Sequence, residues 1–354
     1  MIPLIPAQKV LFLKSKNNPE MPKTYYVIHP SVPGSIEKEL EQVLNQILSI
    51  RNSGLSPVKI NVFADLPDFK SLKPVREKII DSCTAMTGSV CPAVTLTAHP
   101  PEKPYKIVVE AIFIKTGYAV IRGGYFNSIP YLLLEYPEGK ELIAGGISSY
   151  MYADETRIAA EKAFDLVLGI LKRENMSAND IVRQWNYIGN ILYVKNNFQN
   201  YQIFNEVRSE YYSSYRTLKR YPAATGVGMK HGGVIIDFYA VKYGESVTLT
   251  AVDNPDQINA YDYGQKVLKG LADKGKVVKN PPQFERALLM VNNSHSTLFI
   301  SGTASIIGQE TVGIGNVEKQ TVVSIENIKK LSDPSRISKF ISKTGLPEEK
   351  FSLL

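Results

Sequence analysis

The pattern Pro-Ala-x-Thr occurs twice, at residues 92–95 and 222–225, and this repetition limits the fold more than any other feature of the chain. Residues 92–115 read PAVTLTAHPPEKPYKIVVEAIFIK, and residues 222–242 read PAATGVGMKHGGVIIDFYAVK. Each copy closes with a mostly apolar run that carries one acid, Glu110 or Asp237, and ends in lysine. The elements upstream follow the same order. Ile36, Leu40, Val43, Leu44, Ile47 and Leu48 fall at helical spacing, as do Ala160, Ala163, Phe164, Val167, Leu168 and Leu171. A strand pattern follows each helix, at residues 58–64 and 181–188, and then a more polar helix, at about 71–86 and 201–216. A period near the size of a small domain predicts two copies of one α/β unit.

Repeat length divides the 354 residues into a first unit at 1–115, a second at 116–242, and a remainder at 243–354. In the second unit the main helix is expected from Asp154 as N-cap, with Glu155 in the first turn. Residues 10–15 and 25–29 suggest an opening hairpin, and residues 248–280 a long surface connection. From residue 284, FERALLMVNN and STLFISGTASIIG suggest a hairpin, with a helix at 317–331. No Pro-Ala strand and no counterpart of Glu110 or Asp237 follows, so the third unit is expected to be incomplete. Its open sheet edge would call for a second copy of the chain or another partner as cover.

A hydrophobic content of 44% with 21% charged residues indicates a globular protein, and no apolar run approaches the ~18 residues of a membrane span. The N-terminal residues carry two early prolines and no basic segment, which does not resemble a secretory signal, so a cytoplasmic location is expected. Cys83 and Cys91 match no zinc or redox spacing. The net charge of +7 is spread over 41 basic and 34 acidic side chains; it suits a small anionic ligand and does not by itself indicate nucleic acid.

The four histidines, His29, His99, His231 and His295, are scattered, so no metal site is expected. Gly226, Gly228, Gly232 and Gly233 precede a strand where a dinucleotide fingerprint needs a helix, which favours a tight bend, and no cofactor is expected. The tyrosine-rich, basic stretch 193–221 could stack on single-stranded nucleic acid, but a helix with Tyr201, Phe204 and Tyr211 or Tyr212 in the core is the favoured reading. The segment SGTASIIGQET sets Ser301, Thr303 and Ser305 around Gly302 and Gly308, where backbone amides can meet a ligand carboxylate. Glu310, at its end, is an acid candidate if buried. No GxSxG elbow or Cys-His pairing is present.

The unit of helix, strand, helix, Pro-Ala strand and acid-bearing strand resembles the YjgF/RidA family, whose small α/β subunits form trimers with ligand sites between subunits. The fold class expected is therefore α/β, with tandem YjgF/RidA-like (chorismate mutase-like) units arranged as a pseudo-trimer. From Asp180 onward, DIVRQWNYIGNI, YQIFNEVR, PAATGVG, DNPDQINAYDYG, PQFERA and SGTASIIGQET fall in the order found in chorismatases of the FkbO-like group. Residues 1 to about 150 are less similar to that group. The resemblance implies an enzyme that converts chorismate to pyruvate plus 3-hydroxybenzoate or a dihydroxycyclohexadiene carboxylate, as a starter acid for secondary metabolism.

Chorismate is a dianion, and Arg208 and Arg286 stand where that family has arginines, whose guanidinium forks bind carboxylates at two points. Thr225, Gly226 and Thr303 complete the substrate-binding set that the resemblance implies. Gly226 stands where the hydroxybenzoate-forming branch carries glycine and the hydrolytic branch alanine. The family's acid is a glutamate in a final strand that has no counterpart here, and Gln309 replaces a histidine usual in the SGTASI loop. Two alternatives remain: a homologue that binds without turnover, and a RidA-type imine deaminase. The latter is disfavoured because neither Pro-Ala motif continues with the arginine of the deaminase pattern.

Overall fold

The structure is a computed structural model and describes residues 8–10, 23–88, 90–244, 247–271, 278–291 and 296–342. The first sheet draws on β1 (Gln8–Val10), β2 (Lys23–Ile28), β3 (Leu55–Ala64), β4 (Ala93–Thr97) and β5 (Ile107–Lys115), in the order β1-β2-β5-β3-β4. Its helices are α1 (Ile36–Asn52) and α2 (Leu72–Thr87). The second sheet contains β6 (Val120–Phe126), β7 (Ile129–Tyr136), β8 (Gly139–Ile147), β9 (Ile181–Gly189), β12 (Ala223–Met229) and β13 (Val234–Tyr243). Its order is β12-β9-β13-β8-β7-β6, with α3 (Thr156–Arg173), a short ribbon of β10 (Val194–Lys195) and β11 (Phe198–Gln199), and α4 (Asn200–Tyr215).

The two sheets repeat one topology. The Pro-Ala strand lies at an edge, parallel to its neighbour: β4 beside β3, and β12 beside β9. The acid-bearing strand runs antiparallel between two others, β5 between β3 and β2, and β13 between β9 and β8. Register is conserved residue by residue. Ala93 pairs with Lys59 and Ala223 with Arg183; Glu110 and Thr95 both face Asn61, as Asp237 and Thr225 both face Trp185.

The third sheet is β14 (Thr248–Val252), β15 (Ala287–Val291) and β16 (Ser296–Ile300), all antiparallel. It is followed by a small hairpin, β17 (Ile306–Ile307) and β18 (Glu310–Thr311), and by α5 (Val317–Leu331) and α6 (Pro334–Ser342). The first residues of the expected connection thus form a strand, because Val252 points into the same apolar cluster as Ala287, Leu289, Leu331, Ile337 and Ile341. Helix α6, unanticipated from sequence, supplies the last two of those residues. In α3 the helix begins at Thr156 with Glu155 in the cap position, one residue beyond the expected cap Asp154. Of the expected opening hairpin, residues 11–15 lie outside the described residues, as does His295; β2 takes Gln8–Val10 as its partner.

Each helix pair covers the outer face of its own sheet. Leu40, Val43 and Ile47 of α1 pack on β3 and β5 residues, while Phe164, Val167, Phe204 and Tyr212 of α3 and α4 pack on β9 and β13 residues. The favoured reading of the tyrosine-rich stretch holds: Phe204 and Tyr212 are buried, and Tyr201 and Tyr211 pack against them. A third cluster joins all three sheets, with Val58, Ala93 and Ile114 from the first, Leu132, Ile143, Ala223 and Tyr239 from the second, and Leu288, Met290 and Phe299 from the third. The sheets therefore meet through their inner faces, and the functional side chains lie where those faces adjoin. No helix is long and apolar enough to cross a membrane among the described residues.

Candidate active site

Because side chains alternate along a strand, Arg183, Trp185, Thr225 and Asp237 share the inner face of the second sheet. The first and second sheets adjoin at β4 and β8, where Asp237 is fully buried. Lys59 Nζ donates to Asp237 Oδ2 at 2.6 Å, Thr95 Oγ1 lies 2.8 and 2.9 Å from the two carboxylate oxygens, and Gly146 N–H donates to Oδ1 at 2.8 Å. Gly145 and Gly146 are required there: a Cβ on the first would stand 2.4 Å from Thr95 Oγ1, and on the second 2.3 Å from Val94 O. The glycine pair thus permits a close approach that closes this cleft around its own carboxylate.

At the edge of β12 the third sheet takes the corresponding place. Ala224 N–H donates to Ser301 Oγ at 2.8 Å, Gly302 N–H donates to Ala224 O at 3.0 Å, and Ala223 bridges Glu285. A Cβ on Gly302 would stand 2.8 Å from Thr225 Cγ2, so a glycine again abuts the threonine of the Pro-Ala motif. Arg183 Nη2 donates to Thr225 Oγ1 at 2.6 Å, while Nη1 is buried with no partner. The Arg183 guanidinium lies 4.5 Å from the Trp185 ring centroid, and Lys59 Nζ lies 4.4 Å from the same ring. Burial pushes the Arg183 guanidinium down to about 10, which leaves it a cation at neutral pH. Among the described residues no carboxylate pairs with it.

Three further buried arginines share that condition, Arg208, Arg286 and Arg216, the last donating to Ala178 O and Arg220 O with its Nε unpartnered. Arg208 of α4 donates to Asn205 Oδ1 at 2.7 Å and lies over Phe204, with its Nε unpartnered. Arg286 donates to Tyr263 Oη at 2.7 Å and to Ile258 O, and its Nε is also unpartnered. A buried polar group left without a partner costs free energy, so each orphaned guanidinium nitrogen is a donor that an anionic ligand would satisfy.

The structure brings some of the anticipated residues together and separates others. Thr225, Gly302 and Thr303 adjoin, Thr303 Oγ1 donating to Ser301 O, and Ser301 N–H donates to Arg286 O. Gly226 faces the opposite side of β12, where a Cβ would stand 3.1 Å from the Tyr201 ring and 3.7 Å from Ile191 Cδ1. Arg208 lies on that helix side as well. Glu310 is exposed in the β17–β18 hairpin, so the burial required for its use as an acid is absent. Gly264 N–H donates to the Gln309 side chain at 2.8 Å, which ties the SGTASI loop to the connection before β15.

Sequence reasoning passed over Arg183, Trp185 and Glu285. The first two stand in DIVRQWNYIGNI at strand alternation, a signal that marks a shared face but not what the face meets. Glu285 is buried, and that burial pushes its carboxyl up from the usual range, against hydrogen bonds from Tyr221 N–H at 2.9 Å and the Tyr261 hydroxyl at 3.3 Å.

The family described as chorismatase FkbO/Hyg5-like, N-terminal, matches residues 133–240, from within β7 to β13. Three of the six motifs quoted above lie inside that stretch, and DNPDQINAYDYG, PQFERA and SGTASIIGQET lie beyond it. A 3-hydroxybenzoate synthase of Streptomyces hygroscopicus is 28% identical over 50% of this chain and 48% of its own length. A chorismatase of Streptomyces rapamycinicus is 37% identical over 31% of this chain and 30% of its own. The matches thus span about half the length of these curated relatives or less. A crystal structure of a chorismatase aligns over 96% of this chain and 83% of its own, with a TM-score of 0.58 and 17% identity. The chain is therefore similar to the FkbO/Hyg5-like chorismatases in sequence across residues 133–240, and it shares the fold of a chorismatase along 96% of its length.

Proposed function

We propose that the chain is a chorismatase-like enzyme that takes chorismate to pyruvate plus 3-hydroxybenzoate or a dihydroxycyclohexadiene carboxylate. The observation that carries this reading is the surplus of buried positive charge. Arg183, Arg208 and Arg286 each keep a nitrogen without a partner, and no described carboxylate pairs with any of them. A dianion of chorismate's size has two carboxylates for such forks: we assign Arg286, with Thr225 and Thr303, to one end of it, and Arg208, with Gly226, to the other, across the edge strand β12.

The reaction requires a proton on the CH2 of the enolpyruvyl ether, which becomes the methyl of pyruvate. In the hydrolytic course water then adds to the ether carbon and the hemiketal breaks between that carbon and the ether oxygen, which leaves both hydroxyls on the ring; in the hydroxybenzoate course no water is consumed, the ring C–O bond breaks with the ether oxygen leaving in pyruvate, and loss of a ring proton makes the ring aromatic. The proton must come from an acid kept protonated by burial. We place this chemistry on a pseudo-trimer of units 1–115, 116–242 and 243–354, with the site between the second and third. A cytoplasmic location fits the buried and unpaired Cys83 and Cys91. The outer edge of β16, unpaired among the described residues, is where a second copy of the chain or another partner would pair.

Incubation with chorismate, with pyruvate followed by coupled reduction to lactate and the ring product by chromatography, tests the reading. Arg208→Lys and Arg286→Lys keep the charge but lose the fork, and each is expected to lower kcat/KM about tenfold to a hundredfold. A second reading, a homologue that binds without turnover, is favoured by one observation: no described carboxyl hydrogen-bonds to Arg183, Thr225, Arg208 or Arg286. Calorimetric binding of chorismate with no pyruvate formed would select it.

A further inference from the structure

The cleft around Asp237 and the one at the edge of β12 can be compared donor by donor. In the first, a lysine paired with the alanine of Pro-Ala, and the threonine two residues on, hold a carboxylate: Lys59 and Thr95 around Asp237. Arg183 and Thr225 occupy the same register positions one sheet later, where Ala223 pairs with Arg183 and Thr225 follows two residues beyond. The donor types correspond, a cation and a hydroxyl, and a glycine abuts the threonine in both clefts. What differs is the anion. Asp237 fills the first, and among the described residues nothing negative fills the second.

We infer that Arg183 and Thr225 form a receptor for one carboxylate of a small organic acid, with Asp237 in the first cleft marking where that carboxylate sits. Three features of the site suit this role. Arg183 is 7% exposed, and its Nη1 has no partner, so one prong of the guanidinium fork is unused. Thr225 Oγ1 accepts from Nη2, and its own hydroxyl hydrogen has no acceptor among the described residues. Thr225 is only partly buried, so the buried cation is approached through the hydroxyl. One donor of the first cleft is not reproduced: Gly302 N–H donates to Ala224 O, whereas Gly146 N–H reaches Asp237. The second prong of Arg183 takes its place, since a guanidinium offers two parallel donors to a carboxylate where an ammonium offers one direction.

This deepens the proposed function and rests on that reading only for the identity of the acid as chorismate; the receptor itself is argued for any small carboxylate. Trp185 is the single tryptophan of the chain and lies against Arg183, so its emission reports on the site directly. Titration of the full chain with benzoate, excited at the red edge of tryptophan absorption, should give a saturable change in emission. Arg183→Met should weaken the apparent affinity at least about tenfold, the loss expected for a charge-assisted hydrogen bond, and Thr225→Val by about threefold to tenfold. Thr225→Val preserves shape, so it carries the test if Arg183→Met does not fold. Saturable benzoate binding that depends on both residues supports the receptor even if chorismate is not turned over. Absence of a saturable change in the wild type, or equal affinity in Thr225→Val and the wild type, overturns it even if pyruvate is formed.

Discussion

Two clefts built on one register treat charge in opposite ways. Between the first and second sheets, Lys59 and Asp237 are both buried and bonded to each other, with Thr95 and Gly146 satisfying the remaining carboxylate lone pairs. At the edge of β12, Arg183 is also withdrawn from water, yet among the described residues its only side-chain hydrogen-bond partner is the hydroxyl of Thr225. A buried ion pair is self-sufficient and fixes how two sheets meet, whereas a buried cation without a counter-ion is a cost the fold carries until something negative arrives. Duplication of a unit therefore does not duplicate a site. One acid, on β13, turned the first cleft into a structural joint.

The sharpest way to break this comparison is Asp237→Leu. It leaves Lys59 buried with no counter-charge and should lower stability by about 3–5 kcal/mol in urea unfolding. A loss below about 1 kcal/mol would mean that the first cleft is not held by its ion pair. The corresponding change in the second cleft, Arg183→Met, should behave differently in the absence of ligand. It removes one hydrogen bond and the contact with Trp185 but also relieves an unpaired buried charge, so unfolding free energy should change by no more than about 1 kcal/mol in either direction.

Glu285 gives a smaller effect whose sign depends on pH. Burial raises its folded pKa above the unfolded value of 4.5, so its protonated form stabilises the fold at low pH and that contribution is lost as pH rises through the raised pKa. Glu285→Gln keeps an acceptor for Tyr221 N–H and removes the titration. Its stability relative to the wild type should therefore increase from pH 4.5 to neutrality; a difference independent of pH would contradict the assigned direction. Gly226→Ala should have the smallest effect. The new methyl would meet the Tyr201 ring at 3.1 Å, a contact the ring can relieve by a small shift, and a cost under about 1 kcal/mol is expected. If the enzyme reading holds, the ratio of aromatic to dienoic product should move toward the diene, because the resemblance puts alanine at this position in the hydrolytic branch and glycine, as here, in the hydroxybenzoate-forming one.

Much of the fold was legible from the repeated Pro-Ala-x-Thr. The helices at 36–52, 156–173 and 317–331 announce themselves through apolar spacing, and the equivalence of Glu110 and Asp237 is borne out by their facing Asn61 and Trp185 in matching register. The strand at Thr248–Val252 was not legible, since TLTAV with polar residues on one face becomes a strand only when β15 is beside it. Helix α6 escaped for a similar reason: its short sequence is organised by the apolar cluster it closes.

Spacing and composition by themselves fixed the repeated α/β unit, its strand alternation and the residues on each strand face, because these depend on neighbours along the chain. Only the tertiary structure decided that Asp237 is neutralised by Lys59, 178 residues away, while Arg183 has no such partner among the described residues. That choice depends on which sheet edge meets which inner face. A pairing across so long a stretch of chain is set by packing between whole units, and neither periodicity nor motif spacing encodes it.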